Sequence, residues 1–156
     1  MKTDYLIRNV RSNDTPIIQS LAIKCSPLEL HTEYTYWVCT HLFQCSSFIL
    51  ELDKYPIGYI MAIENTSTVF IWQIGITSEH RGKGLSKHLI GACVNYAKSV
   101  KKNLEVTISE NNEESYRAFR NYCRRNGLVF SCLGDAEILD ADGVLFELEK
   151  LYSIHI

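Results

Sequence analysis

The sequence contains no apolar run approaching the roughly 18 residues that a membrane-spanning helix needs. Its opening residues, Met1–Tyr5, carry nothing like the apolar stretch of a secretory signal. These two absences predict a cytoplasmic protein that does not engage a membrane. An excess of charge of one sign is also missing: 16 Lys and Arg stand against 18 Asp and Glu, for a formal net charge of −2. No global field exists to draw in nucleic acid, so no nucleic-acid partner is expected. The six cysteines (Cys25, Cys39, Cys45, Cys93, Cys123 and Cys132) form no Cys-x-x-Cys pair and match no zinc spacing. With no secretory signal they read as free thiols, mostly buried as small hydrophobes. The five histidines lack a His-Glu-x-x-His pattern, and no metal is expected. No repeat, low-complexity tract or linker divides the chain. Its 156 residues, 46% apolar and 22% charged, fit one globular domain over 1–156.

What is present is an alternation of helical and extended patterns. Tyr5–Val10 alternates as a first strand. Asn13-Asp-Thr-Pro16 starts a helix, with a polar cap and a proline in the first turn; Ser26-Pro27 breaks it. A second helix is predicted over Glu33–Gln44. The period then changes. Ser47–Leu52 and Tyr55–Ile63 form a hairpin around Asp53-Lys54, and Asn65–Ser67 turns into the strongly apolar strand Val69–Ile76. Leu85, Leu89, Ile90, Cys93, Ala97 and Val100 share one face of a long helix. Leu104–Ser109, Glu113–Arg125, Leu128–Cys132 and Val144–Leu148 follow as strand, helix, strand and strand. The order β-α-α-β-β-β-α-β-α-β-β indicates an α/β fold.

The densest chemical signal lies between the fourth strand and the third helix, at Ile74-Gly75-Ile76 and Arg81-Gly-Lys-Gly-Leu-Ser86. Gly82 and Gly84 open backbone conformations closed to other residues and permit close approach of a ligand. The free N–H groups of the first helical turn, together with the helix dipole, form an anion site. Arg81 and Lys83 add positive charge beside it, and a diphosphate is the natural occupant. Neither a Walker A loop nor a Rossmann glycine fingerprint is present. A plain strand-to-helix turn with surface charges is the alternative at this point.

This segment resembles the Arg/Gln-x-x-Gly-x-Gly/Ala signature of the GNAT acetyltransferases, with Arg81, Gly84 and Ser86 at its three defined positions. Asn112-Glu-Glu-Ser115, Phe119 and Gly127 resemble the family's second pattern. The resemblance implies the acyl-CoA N-acyltransferase fold, a mixed, mostly antiparallel central sheet flanked by helices. It implies acetyl-CoA as the acetyl donor, held by Ile74, Ile76, Arg81, Gly82, Lys83, Gly84, Leu85, Ser86, Asn112, Ser115 and Phe119. Asn112 would bond the pantetheine arm. The oxyanion formed in transfer would meet backbone N–H groups near Ile74–Ile76, with Gly75 suited to a bulge that aims one of them. Where many members carry a tyrosine acid, this chain has Phe119, which cannot donate a proton. Tyr116 and Tyr122 lie nearby in sequence but are expected to point elsewhere. Analogy with the family also implies a homodimer.

Pro27-Leu28-Glu29, Tyr34-x-Tyr36, Phe70–Gly75, Asn112–Phe119 and Val144-Leu145-Phe146 resemble the diaminobutyrate acetyltransferases, the branch that makes the N-acetyl precursor of ectoine. That resemblance implies a small-molecule amine acceptor, 2,4-diaminobutyrate, contacted by Glu29, His31, Tyr34, Trp72, Gln73 and Asp142. The carboxylates of Glu29 and Asp142 suit an ammonium, and Trp72 suits a cation or its methylene stem. Gly75, Ile76 and Trp72 would line the reacting centre. Two alternatives remain open: transfer to another small amine or a protein amine, or a weakly catalytic acetyl-CoA-binding sensor.

Overall fold

The computed structural model describes residues 3–156; Met1 and Lys2 lie outside the described residues. The elements run β1 (Tyr5–Asn9), α1 (Thr15–Lys24), α2 (Glu33–Leu42), β2 (Phe48–Leu52), β3 (Tyr55–Glu64), β4 (Thr68–Ile76), α3 (Ser86–Val100), β5 (Asn103–Ser109), α4 (Glu113–Arg125), β6 (Val129–Leu139) and β7 (Leu145–His155). Short 3-10 turns at Ser12–Asp14 and Ser78–His80 precede α1 and follow β4. This is the element order read from the sequence. The last two strands are longer than expected, because the polar residues that obscured their period sit on a largely exposed hairpin.

The strands form one sheet in the order β1-β2-β3-β4-β5-β7-β6. All neighbours are antiparallel except β4 and β5, which run parallel and are joined by α3 as a crossover. Two apolar layers cover the sheet. On one face α3 and α4 bury Leu89, Ile90, Cys93, Ala97, Phe119 and Cys123 against Leu50, Ile60, Val69, Ile71, Leu104 and Val106. On the other, α1 and α2 bury Ile18, Leu21, Cys25, Tyr36 and Cys39 against Ile49, Tyr59 and Met61. All six cysteines are free thiols, four of them buried. Among the described residues, no helix is long and apolar enough to cross a membrane.

Two irregularities position the site. First, β4 pairs with β5 only from Thr68–Asn103 to Ile71–Val106. Beyond that point β5 stays with β7 as far as Ser109 opposite Glu149, while β4 stays with β3 as far as Ile76 opposite Gly58. The two parallel strands therefore part, and the edge of β4 facing β5 is left without a strand partner from Trp72 onward. Second, the β3–β4 register shifts so that Met61 faces Gln73 while Ala62 faces Ile71. Trp72 is the extra residue, so the bulge lies at Trp72 and not at the expected Gly75, which pairs with Tyr59 in register. The bulge resets the alternation of the strand. Val69 and Ile71 before it face α3, and so do Ile74 and Ile76 after it.

Candidate active site

The resetting of β4 places two consecutive side chains, Trp72 and Gln73, against the same segment: the loop between α1 and α2. The Trp72 ring lies 5.3 Å from the His31 ring, centroid to centroid. Gln73 Nε2 donates to the Glu29 carbonyl at 2.7 Å, and Gln73 Oε1 accepts from the Tyr59 hydroxyl at 2.6 Å. The His31 N–H donates to the hydroxyl of buried Tyr36 at 3.2 Å. Gly75 is needed here for space. A Cβ on it would sit 2.8 Å from Cys25 Sγ and 3.0 Å from Leu28 Cδ2, so a larger residue would push the loop away.

Among the residues expected to meet an acceptor, the structure brings Glu29, His31, Trp72 and Gln73 together. Gln73 spends both ends of its amide inside the protein. Tyr34 is turned outward: Tyr36, two residues on, faces the core, and Tyr34 stacks instead on exposed Trp37, ring centroids 6.0 Å apart. Asp142 sits in the exposed turn of the β6–β7 hairpin, where its N–H donates to Asp140 Oδ1 at 2.9 Å. Among the described residues no hydrogen bond, ion pair or ring contact joins Asp142 to Glu29, His31 or Trp72. The acid that does approach Glu29 is Glu147 on β7, with Glu149 beside it on the same strand. Burial, with the neighbouring charges of Glu149 and Glu29, pushes the Glu147 carboxyl above its usual range. The sequence held no signal for Glu147. Glu147 meets Glu29 only because β7 continues past β5, whose last pair is Ser109 opposite Glu149.

At the end of β4 the backbone is built as the glycine pattern suggested. Gly82 and Gly84 have φ of +74° and +68°, and a Cβ on either would meet nothing within 4 Å. The glycines are therefore required by conformation, and the surface above them is open. Leu85 anchors the turn in the core. The start of α3 has no side-chain cap and no acid in its first turn, so its N–H groups are left for an outside anion. Lys83 and Lys87 flank it, both exposed. The Arg81 guanidinium is turned the other way: Nε donates to the Ile76 carbonyl at 3.1 Å and Nη2 to the Ser26 carbonyl at 2.7 Å. The side chains of Ile74 and Ile76 pack into the core, leaving only their backbone to the site.

An open groove of about 510 Å³ begins at this turn and runs between α3 and α4, lined by Gly84, Ser86, Lys87, Gly91, Tyr122 and Arg125 among others. Tyr122 lines the groove, while Tyr116 packs on Phe130 and Tyr152. On α4, Asn112 Oδ1 accepts from the Ser115 N–H at 3.1 Å as an N-cap, which leaves the amide NH2 of Asn112 as a spare donor. Phe119 is 1% exposed, inside the core. Parted strands with free backbone groups, an uncapped helix start and two exposed lysines fit an extended thioester carrying a diphosphate.

Comparison with known proteins agrees with this geometry. The model of the Acetyltransferase (GNAT) family matches residues 15–123. The chain is 30% identical over 109 residues to the L-2,4-diaminobutyric acid acetyltransferase of Marinococcus halophilus, covering 66% of this chain and 62% of that protein, a little under two thirds. It is 29% identical over 130 residues to the Vibrio cholerae enzyme of the same name, covering 79% and 73%. Among solved structures, the diaminobutyrate acetyltransferase of Paenibacillus lautus, in complex with L-2,4-diaminobutyric acid and coenzyme A, superposes with a TM-score of 0.80 at 25% identity, covering 99% of this chain and 96% of that one.

Proposed function

The chain belongs to the GNAT family of acetyltransferases, and from that premise we propose that it transfers an acetyl group from acetyl-CoA to the side-chain amine of L-2,4-diaminobutyrate, the step that gives the N-acetyl precursor of ectoine. One observation carries the reading. The strand β4 offers a free backbone edge leading to the uncapped start of α3 on its cofactor side, and through the bulge at Trp72 presses Trp72 and Gln73 against the loop carrying Glu29 and His31 on its acceptor side. Diaminobutyrate acetyltransferases are also what the curated relatives are named.

Acetyl-CoA supplies an activated acyl thioester. The protein's contribution is placement and charge. The Gly82–Ser86 backbone and Lys83 hold the diphosphate, the α3–α4 groove takes the nucleotide end, and the Asn112 amide holds the pantetheine arm. Free N–H groups of Trp72–Ile76 lie where negative charge develops on the thioester oxygen. The amine arrives as ammonium and must lose a proton before it attacks. Glu29 and Glu147 hold the positively charged head group, and Trp72 with His31 walls the methylene stem. Gln73 acts from behind by fixing the Glu29 backbone. We also propose that the protein works as a single domain, in the cytoplasm, as a homodimer.

The test is an acetyl-transfer assay with thiol release as the readout. It compares L-2,4-diaminobutyrate with 1,3-diaminopropane and with a panel of peptide amines. Diaminopropane keeps a reacting amine but loses the head group. Removal of a charge-assisted contact in a partly desolvated site costs on the order of 1.5–3 kcal/mol, roughly ten- to a hundredfold in kcat/KM. Glu29→Gln should narrow that gap. Equal efficiency for the two amines would defeat the diamino-acid reading and leave acetyl transfer standing.

A further inference from the structure

Placed beside a diphosphate site in the sequence, Arg81 reads as a counter-charge. The structure gives its guanidinium different work. Its two bonds go to carbonyls of two separate segments: Ile76 at the end of β4 and Ser26 at the start of the α1–α2 loop. The loop has little to hold it otherwise. Between Cys25 and Glu33 its own backbone makes one turn bond, from the Leu28 N–H to the Cys25 carbonyl at 3.0 Å. Its ties to the sheet are Arg81 at Ser26, Gln73 at Glu29, the Trp72 ring at His31, and the packing of Cys25 and Leu28 over Gly75; its ties to α2 are the Tyr36 hydroxyl at His31 and the Thr32 cap. The charge of Arg81 is felt on that side as well. Burial raises the Cys25 thiol to about 11, and Arg81 acts against that rise. The cations left facing outward at the start of α3 are Lys83 and Lys87.

We propose that Arg81 is a positioning residue for the acceptor: it braces the loop carrying Glu29 and His31 against the end of β4, and is not the counter-charge for the diphosphate. The inference rests on the acetyltransferase reading above. A planar guanidinium reaches two carbonyls at once with fixed geometry. A lysine ammonium keeps the charge but cannot span both. The two roles therefore separate in the conservative variant.

The experiment uses the full chain in native, R81K and R81M forms. Calorimetry gives the Kd for acetyl-CoA at two salt concentrations, and steady-state kinetics give kcat and KM for L-2,4-diaminobutyrate at saturating acetyl-CoA. Expected for R81K and R81M are an acetyl-CoA Kd within about threefold of native, an unchanged salt dependence, and an amine KM raised about tenfold or more. K83M should show the reverse pattern, with weaker acetyl-CoA binding and a flatter salt dependence. R81K carries the test alone if R81M does not fold. A native amine KM in R81K overturns the inference, and so does an R81M that loses acetyl-CoA affinity tenfold while R81K regains it. A native protein that binds no acetyl-CoA overturns the function proposed above, and the inference falls with it.

Discussion

Asp14 is almost fully buried, at 2% exposure, yet it carries a charge. Arg8 meets it with two bonds, Nη1 to Oδ2 at 2.7 Å and Nη2 to Oδ1 at 3.0 Å, and turns its Nε to Glu51 Oε1 at 2.7 Å. The Arg11 N–H adds a third bond to Asp14 at 2.7 Å. Burial alone would raise the carboxyl, but the fork from Arg8 and the Arg11 N–H outweigh it, and the net shift is downward. A carboxylate with its folded pKa below its unfolded value, about 3.9, adds stability at neutral pH. That stability fades as pH falls through the folded value. Asp14→Asn should therefore lower unfolding stability by about 2–4 kcal/mol at pH 7, and the deficit should shrink by pH 3. Denaturant titrations at the two pH values measure both. Phe119 presents the opposite case, an apolar residue at a position where the family often has an acid. Its ring is enclosed by core residues, so Phe119→Tyr should bury an unpartnered hydroxyl at a cost of about 1–3 kcal/mol. Turnover should stay within about tenfold, roughly 1.4 kcal/mol in barrier. A much larger gain in turnover would show that a proton donor had been missing.

At the scale of elements, the site is a product of how strands end. The α3 helix can present bare N–H groups because the turn before it is shaped by two glycines in the left-handed region and anchored by Leu85. Gly84→Val puts a β-branched side chain at φ of +68°, strained by roughly 1–2 kcal/mol. Open space around the position should still let the chain fold. Acetyl-CoA binding should be abolished, because the side chain stands where the ligand must approach. Calorimetry beside a thermal melt separates the two effects, and an unchanged affinity would remove the diphosphate from this turn. The β6–β7 hairpin contributes in another way. By outrunning β5 it carries Glu147 to the side of Glu29.

For the whole molecule, that same hairpin is the least covered part of the sheet. β5 pairs with β7 only along Glu149–Ile154, so Leu145–Leu148 have β6 alone as a neighbour. Leu139, Val144, Leu145 and Phe146 are exposed there, Phe146 at 72%. An apolar arm of this kind is the face most suited to a second copy of the chain. Light scattering should give twice the 17.9 kDa of one chain. Phe146→Asp should halve that mass, while an exposed substitution of this kind changes the stability of the chain by only about 0.5 kcal/mol. A native protein that scatters as 17.9 kDa would remove the dimer.

What the sequence by itself determined is whatever rests on neighbours a few residues apart. The apolar, β-branched run of Val69–Ile76, the helical face of Leu89, Ile90, Cys93 and Ala97, and the Gly82–Gly84 turn each follow from local backbone preference. They were legible as such, and with them the element order. Tertiary structure decided whatever depends on segments far apart in the chain. The bulge belongs to Trp72 and not Gly75 because it reconciles the registers of β3 and β4, which neither strand sets alone. Arg81 faces Ser26 because two carbonyls converge there across 55 residues of chain. Tyr34 turns outward because Tyr36 takes the core side of α2. Glu147 reaches Glu29, and Asp142 stays in its turn, because hairpin length and sheet order set where β7 passes. Period and propensity report which face of an element is apolar. Which distant group that face meets is fixed only when the whole sheet closes.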